Sequence, residues 1–298
     1  MIKIQKIICG SDFCFAIENF DLNNIYDTNS NIQEDIYSWG NNELHQLGIE
    51  ENKYKYYFIP TKATFLNKIL MENNTRVDKF VCGWSHGCFL TTNGGIYLWG
   101  NPFIDYNKKY KDILKPININ NIKNATRIIN ISSGFNHIAV LSIPSNNRNS
   151  VELYTLGANE FGQLGYETEE IYIDIFKEVK IPKSDINENL KIKRVECGAY
   201  HTIVQMGTNL IYGFGQNNCQ QIGRYKEEFL ITPKKWNHSM DSFFKDDIKT
   251  DEKVLNEIKC SNSITCLLFK NKSQLENFDP KSYYQVEMDS EGLPLKSN

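Results

Sequence analysis

Four segments of this 298-residue chain repeat nearly the same pattern at nearly the same interval. "YSWGNNELHQLG" begins at Tyr37, "YLWGNP" at Tyr97, "YTLGANEFGQLG" at Tyr154 and "YGFGQNNCQQIG" at Tyr212. Aligned on the glycine after the aromatic, they place Gly40, Gly100, Gly157 and Gly215 at steps of 60, 57 and 58 residues. So regular a period marks a repeat architecture, in which each unit buries its faces against copies of itself.

Within each copy the tyrosine is followed two positions on by Trp39, Trp99, Leu156 or Phe214, an i, i+2 pair that a strand puts on one face. The glycine that follows suits a backbone that a Cβ would exclude. Asn42, Asn159 and Asn217 come two residues later, where an amide bonds its own turn and tolerates left-handed angles. Gln-Leu-Gly or Gln-Ile-Gly closes each full loop. Pro60, Pro116, Pro182 and Pro233 then mark the expected starts of outer strands, since proline cannot donate to a ladder.

A second motif interleaves at the same period: "IICGSDFCFAI" from 7, "FVCGWSHGCFL" from 80, "NISSGFNHIAVL" from 130, "VECGAYHTIV" from 195 and a degraded "EIKCSNSITCLLF" from 257. Each reads as a strand, a glycine turn and a second strand of alternating apolar residues. One unit is therefore about four short strands, which predicts an all-β fold, a β-propeller of four-stranded blades. Only 61–73 suggests a brief helix.

The combination "CGxxH", then "YxWGxNxxxQLG", then proline resembles the regulator of chromosome condensation repeat family over about 7 to 269. The resemblance implies a propeller, with seven blades as the family norm. About five units are readable here, and 298 residues cannot hold seven at this period. A small ring, cryptic blades and an incomplete propeller all fit that count. The repeats are assigned to 1–269. Residues 270–298 are a tail in which "YYQVEM" is expected as a closing strand.

The chemical candidates have structural readings. His86, His137 and His201 occupy one slot, three residues after a turn glycine, and Phe13 and Ile264 take it in the first and fifth units. A histidine repeated this way is expected to bond its own blade's backbone, so with Gly40, Gly100, Gly157 and Gly215 it is assigned to the fold. Cys9/Cys14, Cys82/Cys88 and Cys260/Cys266 flank the same turns without a pair of zinc knuckles, and are read as buried small hydrophobes. No phosphate loop or nucleophile elbow is present. The expectation is no catalytic residue, no metal and no cofactor. What varies from unit to unit is the residue after the turn glycine: Ser11, Trp84, Phe135, Ala199. Turn tips lie at the surface, so Trp84 and Phe135, with Tyr200 one position further on, are the candidate partner-binding residues. The competing reading is packing between blades.

With 41% hydrophobic and 23% charged residues the chain reads as globular, and a net charge of −3 argues against direct binding to nucleic acid or a membrane surface. "KKYK" at 108–111 is read as solvated loop charge. The first residues lack the layout of a signal peptide and no apolar run approaches ~18 residues, so a cytoplasmic protein, also entering the nucleus, is expected. Eight cysteines are expected as thiols. The resemblance implies two functions for a non-enzymatic, monomeric interaction scaffold. One is the role of the fungal α-tubulin suppressor subgroup, which partners a small zinc-ribbon protein in tRNA wobble-uridine modification and diphthamide synthesis. The alternative is guanine-nucleotide exchange on a Ran-like small GTPase.

Overall fold

The computed structural model describes residues 4–18, 35–50, 53–101, 115–117, 122, 125–182, 190–236 and 253–271. The KKYK cluster and the YYQVEM segment lie outside them. By compactness the chain divides into two units, Met1–His238 with Lys259–Cys266, and Ser239–Ile258 with Leu267–Asn298. The described part of the second unit is the stem of the last hairpin.

The first unit holds four antiparallel four-stranded sheets, each a simple meander. The first is β1 (Ile4–Cys9), β2 (Phe13–Glu18), β3 (Ile36–Asn41) and β4 (Tyr56–Lys62). After the helix α1 (Thr64–Glu72) comes the second: β5 (Val77–Cys82), β6 (His86–Thr91), β7 (Ile96–Gly100) and β8 (Lys115–Ile117). The third is β9 (Ala125–Ser133), β10 (His137–Pro144), β11 (Glu152–Ala158) and β12 (Tyr172–Val179). The fourth is β13 (Ile192–Cys197), β14 (His201–Met206), β15 (Leu210–Gln216) and β16 (Phe229–Lys235). A two-stranded fifth sheet pairs β17 (Lys253–Ser261) with β18 (Ile264–Asn271). This is the all-β propeller fold expected from the repeats.

Period-2 alternation explains why the middle strands are buried on both sides. In β6, Phe89 joins the core shared with the first sheet, whereas Cys88 and Leu90 join the core shared with the third. In β10, Ile138 and Val140 face the second sheet and Ala139 and Leu141 the fourth. The tyrosine pairs obey the same rule: Tyr97 and Trp99 share one core, Tyr154 and Leu156 the next, Tyr212 and Phe214 the third. The second and third blades are thus apolar slabs each between two others, and stacking slabs removes their faces from water.

The loops after β3, β11 and β15 are held by their own side chains. Asn42, Asn159 and Asn217 accept from the backbone N–H of Leu47, Leu164 and Ile222 at 3.0, 3.0 and 2.9 Å. Gln46, Gln163 and Gln221 accept from Leu44, Phe161 and Cys219, each at 2.9 Å. The left-handed residue is not the asparagine but the one three positions on: His45, Gly162 and Gln220, with φ of 60°, 78° and 58°. The prolines also depart from expectation. Pro60 and Pro233 lie inside β4 and β16, between pairs where the register shifts by two residues, and Pro182 follows β12. A proline inside a bulge of an outer strand removes no ladder bond, so its place is set by the irregularity and not by the strand start.

Candidate functional site

The two motifs meet at one point in every blade. Antiparallel pairing sets Phe13, His86, His137 and His201 opposite Gly40, Gly100, Gly157 and Gly215. Gly157 has φ of 115°, and a Cβ on it would stand 2.7 Å from the His137 Cα. The other glycine of the motif is bound to the same residue. A Cβ on Gly83, Gly134 or Gly198 would lie 2.0, 2.1 or 2.0 Å from Cε1 of His86, His137 or His201. On Gly10 it would meet the Phe13 ring at 2.2 Å. In the fifth unit Ser261 stands at the glycine position and Ile264 at the ring position. The glycine makes room for the ring, and where the ring is absent so is the glycine.

The histidines are fully buried, and their hydrogen bonds correct the expectation that they tie down their own blade. His86 Nε2 pairs with Ser133 Oγ at 2.8 Å, His137 Nε2 with Thr202 Oγ1 at 2.9 Å and His201 Nε2 with Thr265 Oγ1 at 3.0 Å. Each partner belongs to the next unit along the chain. The Thr202 and Thr265 hydroxyls themselves donate to the carbonyls of Gln163 and Gln221, at 3.0 and 2.8 Å. A hydroxyl has one proton, so the histidine donates from Nε2 and keeps Nδ1 bare. That Nδ1 has no hydrogen-bond partner among the described residues. Burial holds His86 and His137 down to about 3 and His201 to about 4. These are neutral inter-blade ties, too deep for a base that must meet a substrate.

The cysteine expectation needs a similar correction. Of the six residues in the three pairs only Cys88 is buried, and Cys9 and Cys266 are exposed. Cys9, Cys82, Cys197 and Cys260 stand at or next to the ends of inner strands around a cavity of about 250 Å³, lined by the turn tips of all five units. Cys9 and Cys14 are opposite across β1 and β2, with their sulfurs 3.3 Å apart. Burial raises the thiol of Cys82 and lifts that of Cys197 to about 12, and Cys14 rises to about 11, so none of these is a ready thiolate. Among the described residues no group of three or more His, Cys, Asp or Glu is placed to hold a metal.

The turn tips follow a different logic. Their backbones are chained across blades, the N–H of Trp84 donating to Phe135 O, of Phe135 to Ala199 O and of Ala199 to Asn262 O, at 3.0, 3.0 and 2.9 Å. Their rings are chained as well. Trp84 meets Phe135 at 5.1 Å between centroids and 64°, Phe135 meets Tyr200 at 5.4 Å and 74°, and Tyr200 meets Phe161 at 4.8 Å and 60°. Phe161 then meets Phe229 at 5.5 Å. These contacts, edge-to-face except for the tilted Phe161–Phe229 pair, make one row of five rings across three blades. Trp84 is 41% exposed and Phe229 43%, at the two ends, whereas Phe135, Tyr200 and Phe161 are half-buried and Ala199 is buried. The structure therefore brings Trp84, Phe135 and Tyr200 together, exposed on one side and packed against neighbouring tips on the other. Phe161 and Phe229 extend the row beyond the sequence expectation. Phe161 was findable as the variable position two before each loop glutamine, where Leu44 and Cys219 stand in other units. Phe229 opens an outer strand and carries no repeat signal.

The repeats place the chain in a class, the stacked four-stranded propellers. Comparison with known proteins names that class. The regulator of chromosome condensation (RCC1) repeat matches residues 33–90 and 152–205 of this chain. The human regulator of chromosome condensation is 25% identical over 215 residues, which cover 67% of this chain and 47% of that protein. The Arabidopsis thaliana ultraviolet-B receptor UVR8 is 25% identical over 227 residues, covering 74% and 43%. The solved structure of human WBSCR16 superposes with a TM-score of 0.64 at 15% identity, over 90% of this chain and 58% of that one. The chain thus spans about half the length of these curated relatives.

Proposed function

We propose that this chain is a non-enzymatic protein-interaction scaffold whose partner docks on the row Trp84–Phe135–Tyr200–Phe161–Phe229. The observation that carries the reading is the row itself: five rings in contact, from three blades, with both ends open to solvent. Exposed aromatics backed by neighbours are rigid, so a partner that covers them gains apolar contact with little ordering cost. The rim selects the partner's charge. Glu160 and Glu228 are exposed and each precedes a ring of the Phe161–Phe229 pair. A partner segment with apolar anchors and a flanking lysine or arginine fits this face. Of the roles the family resemblance suggests, partnership with a small zinc-ribbon protein in tRNA and diphthamide modification asks only for such a face, in the cytoplasm or the nucleus. Exchange on a Ran-like small GTPase is the second reading. It draws on the 25% identity to the human regulator of chromosome condensation.

Affinity capture with the full chain and mass spectrometry separates the two partners, and repeating it with Trp84→Ala tests the face. The proposal expects a partner held by the wild type and lost from the variant at unchanged melting temperature. A partner captured equally by both contradicts it.

A further inference from the structure

The turn between the first two strands of each unit stands on a pair of facing residues, and in the first unit that pair is unlike the others. Cys9 and Cys14 are opposite across β1 and β2. The equivalent pairs are Cys82 and Gly87, Ser133 and Ile138, Cys197 and Thr202, and Cys260 and Thr265. Only the first unit sets sulfur against sulfur. In the fourth and fifth units the threonine hydroxyl lies 4.0 and 3.8 Å from the cysteine and is already engaged. It accepts from His137 or His201 and donates to a loop carbonyl. Cys14 stands in that threonine slot, but all three motif histidines are committed to other hydroxyls. The tie that fixes a threonine there makes no demand on Cys14, and its thiol donates to Cys9 instead.

The backbone places the two sulfurs where a bond can join them. The Gly10 N–H donates to Phe13 O at 2.9 Å and closes the turn, which makes Cys9–Cys14 the next, non-hydrogen-bonded pair. The Cα atoms of such a pair stand about 4.5 Å apart, within the roughly 4.4–6.8 Å that a disulfide spans. The sulfurs are 3.3 Å apart, so bringing them to about 2.05 Å moves them little more than ~1 Å. Access differs between the two. Cys9 is exposed and Cys14 half-buried, and burial, then the bond to Cys9, lifts the Cys14 thiol to about 11. A dissolved reagent therefore meets Cys9 first. Cys82 is an electrostatic neighbour of both, but it faces Gly87 across its own hairpin and burial raises its thiol.

We propose that Cys9 and Cys14 form a reversible redox site that takes a small disulfide of the glutathione class. The Cys9 thiolate attacks one sulfur of the small disulfide, breaks its S–S bond and forms a mixed disulfide, releasing one small thiolate. The Cys14 sulfur then attacks Cys9 and expels the second. Two protein thiols are oxidised to one disulfide, one small disulfide is reduced to two thiols, and the protons lost by the cysteines go to the two departing thiolates. The bond lies at an exposed turn, so an excess of the small thiol reverses the exchange. Closure fixes the first turn covalently where Cys9, Gly10 and Ser11 line the cavity. The site is independent of the aromatic row and of any protein partner.

The test incubates the reduced full chain with oxidised glutathione, alkylates the remaining thiols and maps the products by mass spectrometry. Cys9 and Cys14 share the tryptic peptide 7–53, so their disulfide leaves that peptide unalkylated and lighter by two hydrogens. The proposal expects this product in the wild type and in the control Cys219→Ser, and its reversal by excess reduced glutathione. It expects none in Cys9→Ser or Cys14→Ser. In Cys14→Ser no second sulfur expels the glutathione, which stays on Cys9 at tenfold the wild-type level or more, whereas Cys9→Ser leaves Cys14 largely unmodified. That asymmetry is a readout that misfolding does not imitate. Three results overturn the proposal: Cys9 and Cys14 thiols that stay reduced, a wild type whose Cys9 keeps glutathione without closing the bond, or a disulfide that joins Cys9 to Cys82.

Discussion

His137 and Phe135 are two residues apart and belong to the same turn, yet they answer to different constraints. The histidine is fully buried, repeats in three blades, and recurs with the glycine that makes room for it. The tip residue changes from Ser11 to Trp84 to Phe135 to Ala199, and its ring touches the next blade's ring while a side stays in solvent. A position that keeps its identity together with a steric partner is held by the fold. A position that changes chemical class, and reaches solvent at Ser11, Trp84 and in part Phe135 though not at Ala199, is open to selection by a partner.

The strongest way to break this comparison is to attack the glycine–histidine pair. A Cβ on Gly198 would fall 2.0, 2.5 and 2.8 Å from three atoms of the His201 ring. Gly198→Ala and His201→Ala should each cost about 3 kcal/mol, the first by overpacking, the second by opening a cavity and stripping the Thr265 hydroxyl of a partner. In the double variant the added methyl occupies space the ring has left, so the total should fall short of the sum by 1 kcal/mol or more in denaturant titrations. Strict additivity would show that the two residues are not coupled.

Acid tests all three histidines at once. The native state keeps His86, His137 and His201 neutral, with values near 3, 3 and 4, whereas the unfolded chain takes up protons below about 6.5. The unfolded state then binds more protons, so stability rises with pH through this window and is fully present above it. Each histidine should cost roughly 1.4 kcal/mol per pH unit as the pH falls from about 6 toward 4. Unfolding free energies measured at several pH values should show a slope near three protons, reduced by about one in His137→Gln. A flat profile between pH 6 and 4 would mean that the histidines are not held neutral.

The loop bonds are a smaller test. Asn159→Ala removes the acceptor for the Leu164 N–H and should cost about 1 kcal/mol, measured by the shift of the denaturation midpoint. The tip row predicts the smallest stability effect of all, because Trp84 leaves no closed cavity behind.

Much of this fold could be read from the chain because repetition states each constraint several times. Two phased motifs gave the strands and the loops, and 61–73 was recognisable as the helix that became α1. What was hidden is relational. That His137 reaches Thr202 of the next blade, and not its own backbone, depends on how slabs stack, and stacking leaves no mark at either residue. Pro60 and Pro233 were visible, but the bulges that accommodate them arise from cross-strand register. In the candidate site, Trp84, Phe135 and Tyr200 stood out as variable turn residues. Phe229 did not, since it joins the row only through its contact with Phe161.

The central claim is that the tips bind while the layer beneath them holds the fold, and Trp84→Ala tests it most directly. Its melting temperature and its dissociation constant for the partner captured by the wild type should be measured on one preparation. The account predicts a melting temperature within about a degree of wild type and binding weakened about 30-fold, the equivalent of ~2 kcal/mol. A stability loss of roughly 3–5 kcal/mol, as for a buried tryptophan, with unchanged affinity in the folded fraction, would contradict it.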